Sequence, residues 1–191
     1  MKRRQALANI FLIIVATIAA TATYKWFFLR KKQNMAMLPS HKALIAELAE
    51  VIIPATETPG AKDAKVEDFI IKYILNCEDS KEQYTFLAGL HEVRNFTMER
   101  YKCSFQECNL ADRIVIMQHF EHKEISKYKF VNKVKRKVFG RPFYSQLKEL
   151  TVIGYCTSEV GATKGLAYDF IPVVYEPCVP LLKSQKSWAT K

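Results

Sequence analysis

Glycine is scarce, with six in 191 residues, and its spacing excludes the common nucleotide-binding turns. Gly60, Gly89, Gly140, Gly154, Gly161 and Gly165 build neither a GxGxxG turn nor a P-loop, and no serine stands in a GxSxG elbow. A nucleotide held by such a loop, or a hydrolase nucleophile on such an elbow, has no seat here. The five cysteines, Cys77, Cys103, Cys108, Cys156 and Cys178, include no CxxC or CxxCH spacing. That excludes a zinc ribbon, a thioredoxin-like site and c-type haem attachment. No HExxH pattern occurs among the four histidines. Sustained period-two alternation is missing too, so the expected fold is all-α, a compact bundle of about six helices without a substantial sheet.

Acidic residues are absent from the first 33 positions, where Lys2, Arg3, Arg4, Lys25, Arg30, Lys31 and Lys32 supply seven of the ten net positive charges. A basic balance concentrated on either side of an apolar run points to a membrane and away from nucleic acid. Residues 1–33 therefore read as an export signal or a membrane anchor. The apolar run from about Ala6 to Ala22 ends in Ala20-Thr21-Ala22, an A-x-A-like cleavage site. At about 1.5 Å per residue, the same run just reaches across a ~30 Å hydrocarbon layer, with Tyr24, Trp26 and Phe27 as an interfacial belt. Cleaved signal and retained anchor both stand. Arg3-Arg4 with Leu7 behind it resembles a twin-arginine signal, which exports folded proteins. Either way, residues 34–191 are expected on the periplasmic side of the inner membrane.

What is present in the body is helical periodicity interrupted by one rigid corner. After a Met-rich linker, Ser40 stands at an N-cap position, and Leu44, Ile45, Leu48, Ala49, Val51 and Ile52 predict a helix that Pro54 ends. Pro54 disfavours the α conformation at Ile53, Pro59-Gly60 pairs a fixed φ with a residue tolerant of positive φ, and Thr56 and Thr58 can bond their own backbone. A second helix runs from Val66 to about Cys77. Asp79-Ser80 caps a third, with Tyr84, Leu87, Leu90, His91 and Phe96 on one face broken by Gly89. A break at Cys103 to Asn109 precedes a fourth helix carrying Leu110, Ile114, Val115, Met117 and Phe120. A lysine-rich fifth segment spans Glu124 to Phe139. Pro142 then opens a sixth helix through Phe143, Leu147, Leu150, Val152 and Ile153 to Cys156. From about residue 170, Pro172, Pro177 and Pro180 predict an extended tail that lies on its own domain or on a partner.

Three groups could carry chemistry. His119 and His122 stand three apart with Glu121 between them, near enough for one metal but without a completed ligand set. Cys103 and Cys108, separated by four residues in a loop, suit a local disulfide in an oxidising compartment. Lys123, Lys127, Lys129, Lys133, Lys135, Arg136, Lys137 and Arg141 read as a solvated helix face, or as a docking surface for an acidic partner or anionic lipid.

Two long stretches go further. Leu48 to Lys62, LAEVIIPATETPGAK, followed by Val66 and Phe69, resembles the signature of the gluconate 2-dehydrogenase subunit 3 family. Phe143 to Thr163, with Tyr175-Glu-Pro-Cys-Val-Pro180 and Trp188-Ala189-Thr190 behind it, is similar to that family's C-terminal pattern. The resemblance covers the chain from about His41 to its end and is weakest between Ser80 and Phe139. It implies a non-catalytic small subunit of a membrane-associated dehydrogenase of the glucose-methanol-choline type, assisting the folding, flavin loading and export of a large subunit. FAD is then expected in that partner and no cofactor or metal in this chain, with electrons passing to a cytochrome or another acceptor. The partner-facing residues it implies are Pro54, Thr56, Thr58, Pro59, Gly60, Tyr155, Ser158, Glu159, Tyr175, Cys178 and Trp188. Cys178 is the candidate for an intersubunit disulfide, whereas Cys156 stands where the family pattern carries an aromatic or small residue. A stand-alone membrane-tethered metal binder or enzyme using His119 and His122, and an export chaperone that releases its client, are the alternatives.

Overall fold

The computed structural model describes residues 11–13, 15–17, 19, 20, 23, 35–124, 140–171, 178, 180, 183 and 185–189. The chain divides into two units, Met1–Asn34 and Met35–Lys191. In the first, the described residues are helical, and Phe11, Leu12, Ile13 and Val15 are exposed. Thr17 Oγ1 donates back to the Ile13 carbonyl at 2.9 Å, as hydroxyls do along a helix. No helix, among the described residues, is long and apolar enough to cross a membrane.

The second unit is all-α. Among its described residues are five α-helices: α1 (Lys42–Ile52), α2 (Val66–Asn76), α3 (Ser80–Tyr101), α4 (Leu110–Glu124) and α5 (Phe143–Thr157). A 3-10 segment, Met35–His41, leads into α1, and one π turn, Gly161–Gly165, follows α5. The fifth predicted segment, Glu124 to Phe139, lies outside the described residues except for Glu124, the last residue of α4. Sheet structure among the described residues is limited to one isolated parallel bridge, Ala167 with Trp188.

The central helix is α5, which packs on α1, α2, α3 and α4. It does so with one broad face: Phe143, Gln146, Leu147, Leu150, Thr151, Gly154 and Tyr155 are buried at the i, i+3, i+4, i+7 spacing of a single helical stripe. Around it, Leu44, Ile45, Leu48, Ile70, Ile74, Phe86, Leu90, Val93, Ile116 and Phe120 complete the core. At about 1.5–3 kcal/mol for each fully buried large apolar side chain, this burial is what holds the bundle.

Several local expectations are corrected by this packing. Ser40 is no N-cap: it lies in the 3-10 segment with Oγ donating to the Met37 carbonyl at 2.6 Å, and α1 starts after His41. Leu38, in the stretch read as a Met-rich linker, is fully buried, so the 3-10 turn is fixed by a core contact. Gly89 does not break the α3 face but makes it, since a Cβ there would meet the Phe143 ring at 2.1 Å. The buried stripe of α3 is accordingly Phe86, Leu87, Gly89, Leu90, Val93 and Thr97. On α4, Leu110, Ile114 and Val115 are exposed, and Ile116, Met117 and Phe120 carry the packing. On α5, Val152 and Ile153 likewise face outward.

Helix ends are held by carboxylates. Asp79 Oδ1 accepts from the backbone N–H of Lys81 at 3.0 Å and Glu82 at 2.9 Å, as its cap position in the sequence predicts. Glu124 does the same for the first turn of α5, accepting from the N–H groups of Tyr144 and Ser145 and from Ser145 Oγ. Burial lifts the Glu124 carboxyl above the usual carboxylate range, and those hydrogen bonds partly oppose the lift. At the start of α1, burial, then His91 and Arg94, lower His41 below the ordinary imidazole value, and its ring packs T-shaped with that of His91, centroids 5.1 Å apart.

Candidate partner-docking site

The corner between α1 and α2 is closed by a carboxylate and by backbone. The Ala61 N–H donates to the Ile53 carbonyl at 2.9 Å, and the Thr56 N–H to the Thr58 carbonyl at 3.0 Å. Glu50, in the last turn of α1, turns back over the loop and accepts from the N–H of Ala55 at 2.9 Å and of Lys62 at 2.9 Å. Both bonds lie at the surface, where each contributes about 0.5–1.5 kcal/mol, and together they tie the loop back onto α1. Ile53 sits at φ −126° and ψ 86°, the extended geometry that a following proline imposes.

Two details differ from the sequence reading of this corner. Gly60 is not at positive φ; it is required for space, because a Cβ would lie 2.4 Å from the Glu50 carboxylate and 2.6 Å from the Ala55 backbone nitrogen. Among the described hydrogen bonds of the corner, the donors and acceptors are backbone groups with Glu50 and Asp63, not the hydroxyls of Thr56 and Thr58.

Tyr155 joins this corner to the segment after α5. Its hydroxyl donates to the Pro59 carbonyl at 2.7 Å, across 96 positions of sequence. The ring is buried, and Gly165 of the π turn passes so close that a Cβ would meet the hydroxyl at 2.3 Å. Ser158 Oγ donates to the Tyr155 carbonyl at 2.7 Å and accepts from the Gly161 N–H at 2.9 Å, which shapes the turn. The chain's end returns to the same place. The Ala167 N–H donates to the Ser187 carbonyl at 2.8 Å, the Ala189 N–H to Ala167 at 2.9 Å, and Lys186 Nζ to the Lys164 carbonyl at 3.0 Å.

The two stretches singled out in the sequence are thus neighbours, clasped by one hydroxyl. Pro54, Thr56, Glu159, Cys178 and Trp188 are exposed, Thr58, Pro59 and Ser158 half-buried, and Gly60 and Tyr155 buried; Tyr175 lies outside the described residues. Tyr155 and Gly60 can act only by shaping the surface, whereas Thr56 and Glu159 can touch a partner. Phe170 and Ile171, at 82% and 67% exposure, stand near the Ala167–Trp188 bridge and were not singled out. Their signal was available, as an apolar pair directly before Pro172 in a segment too short to fold on itself.

Glu47, Glu50 and Arg113 were also missed. Glu47 bridges Lys62 at 2.6 Å and Arg113 at 2.5 Å, and so ties the corner to the loop between α3 and α4. Glu50 had a weak local signal, a carboxylate one turn before a helix stop. Arg113 had none, since its ionic partner is 66 residues away.

His119 and His122 are not brought to a common centre. The His119 ring stacks on Phe96, centroids 4.5 Å apart, and both histidines are exposed. Among the described residues, no group of three or more His, Cys, Asp or Glu is gathered as a metal site. Of the basic run, Lys123 pairs with Glu92 and Arg141 with Glu78 and Glu149, while 127–137 lie outside the described residues.

A sequence model of one family, described as gluconate 2-dehydrogenase subunit 3, matches residues 39–173. The matched range takes in the corner, α5 and the π turn and ends before Tyr175, Cys178 and Trp188. No curated protein and no solved structure matches the chain.

Proposed function

The chain belongs to the gluconate 2-dehydrogenase subunit 3 family, and from that premise we propose that it is the non-catalytic small subunit of a periplasmic, membrane-associated FAD-dependent dehydrogenase, docking on the large flavoprotein. The supporting observation is the clasp between Tyr155 and Pro59, which gathers the two family-like stretches on one side of the bundle. A surface of fixed backbone, with Phe170, Ile171 and Trp188 exposed nearby, has the aromatic and apolar character of interface centres. In this reading FAD resides in the partner, a cytochrome or another acceptor receives its electrons, and the 1–33 segment directs export or anchors the complex.

The test is co-expression with a large FAD-dependent dehydrogenase subunit carrying the purification tag. Recovery of both chains in roughly equal amounts, with flavin in the large one, is the expected result, and Thr56→Arg should reduce that recovery without changing the thermal midpoint of the small subunit. A small subunit that remains monomeric overturns the proposal; one that raises flavin loading but is missing from the mature complex is a chaperone instead. If Cys178 bridges the subunits, a linked band appears on non-reducing gels and Cys178→Ser abolishes it.

A further inference from the structure

The loop between α3 and α4 holds two thiols face to face. Cys103 Sγ and Cys108 Sγ lie 2.9 Å apart. They are brought there by the fold of the loop and not by chance proximity on a surface. Lys102, at φ 58°, takes the left-handed conformation that turns the chain out of α3. The Ser104 carbonyl then accepts from the N–H of Glu107 at 3.0 Å and of Cys108 at 3.2 Å, and from the Cys108 thiol at 3.3 Å. The Ser104 N–H in turn donates to Glu107 Oε2 at 2.9 Å. Phe105 is buried at the centre of this turn, under the Arg113 guanidinium. Arg113 fixes the other side of the loop, donating to the carbonyls of Cys108 at 2.9 Å and Gln106 at 2.6 Å.

We propose that Cys103 and Cys108 are a disulfide site that locks the α3–α4 loop when the chain meets a thiol oxidant. Reaching the bonded ~2.0 Å from this separation is a small side-chain adjustment, because the backbone has already closed the loop. The other three cysteines, Cys77, Cys156 and Cys178, are exposed and belong to other elements. The site stands independently of the docking reading, since it needs only this chain and an oxidant.

With oxidised glutathione as the oxidant, Cys103, the more accessible thiol, attacks one glutathione sulfur as the thiolate, forming a mixed disulfide and releasing one glutathione thiol. Cys108 then loses its proton, attacks Cys103 Sγ and expels the second glutathione. The protein dithiol gives up two electrons and two protons, and the glutathione disulfide is reduced to two thiols. The order follows from burial, which with the Cys103 contact pushes the Cys108 thiol up to about 11 and makes it the resolving partner.

The full chain is incubated with oxidised glutathione or with dithiothreitol, denatured, alkylated with iodoacetamide and digested with trypsin. Lys102 and Arg113 flank the pair with no lysine or arginine between, so both cysteines fall in one peptide, 103–113. The expected result is a 103–113 peptide without alkyl groups, lighter by two hydrogens, after oxidation, and one with two alkyl groups after reduction. Two alkyl groups after oxidation, a persistent glutathione adduct on Cys103, or linkage of Cys103 to Cys77, Cys156 or Cys178 overturns the site. The oxidised wild type should also melt several degrees above the reduced form, a difference that Cys103→Ser removes. Equal midpoints for the two wild-type forms overturn the lock.

Discussion

The two interhelical connections that Glu47 ties together, the corner at 53–62 and the loop at 102–109, reach rigidity from opposite ends of the same chemistry. In the corner, orphan N–H groups converge and one carboxylate, Glu50, gathers two of them. In the 102–109 loop it is carbonyls that converge, and one guanidinium, Arg113, gathers two of those. Each loop is therefore tied to an adjoining helix by a charged side chain that gathers two of its backbone groups. They differ in the source of their backbone restraint. Prolines restrict the corner before any tertiary contact forms, whereas the 102–109 loop contains no proline and depends on its anchor.

That contrast makes a ranked set of expectations. Arg113→Ala should have the largest effect, about 3 kcal/mol by urea denaturation, because it unpairs the part-buried Cys108 carbonyl, releases the Gln106 carbonyl to water and leaves Glu47 with only its partly exposed Lys62 partner. An effect under about 1 kcal/mol would show that the loop holds itself, and the comparison fails there. Gly60→Ala should cost about 2 kcal/mol, since the new methyl must displace both the Glu50 carboxylate and the Ala55 backbone. Glu50→Gln is milder, about 1 kcal/mol: one acceptor survives, while the other becomes an NH2 facing an N–H donor. Thr56→Ala should fall within about 0.5 kcal/mol, because its hydroxyl is not among the bonds that close the corner. A larger loss would return the threonines to the role that the sequence suggested for them.

Much of the architecture was legible because it is local. The helix positions of α1, α2, α3 and α5 follow from apolar periodicity, from Asp79 as a cap and from Pro54 and Pro142 as boundaries. What could not be read was the choice among apolar residues on one helix. Leu110, Ile114 and Val115 look as buried as Ile116 and Met117 until α5 fixes which side of α4 is covered. Gly89 looked like a flaw for the same reason, since the ring that fills its gap, Phe143, is distant in sequence. At the candidate site, the corner and the 155–163 segment were each visible as motifs. Their union through Tyr155 and Pro59 was not, because no local rule couples positions 96 apart.

The Tyr155 clasp also bears on the cost of assembly. Association normally forfeits the torsional freedom of loops that must order at the interface, about 0.5–1.5 kcal/mol for each immobilised rotamer-rich side chain, with backbone ordering beyond that. Here one hydrogen bond already joins the corner to the turn after α5 within the single chain, so under the proposed docking part of that ordering is met within the fold. Affinity is then governed by the few exposed side chains that remain free to move, which makes surface substitutions expressible chiefly as changes in dissociation rate.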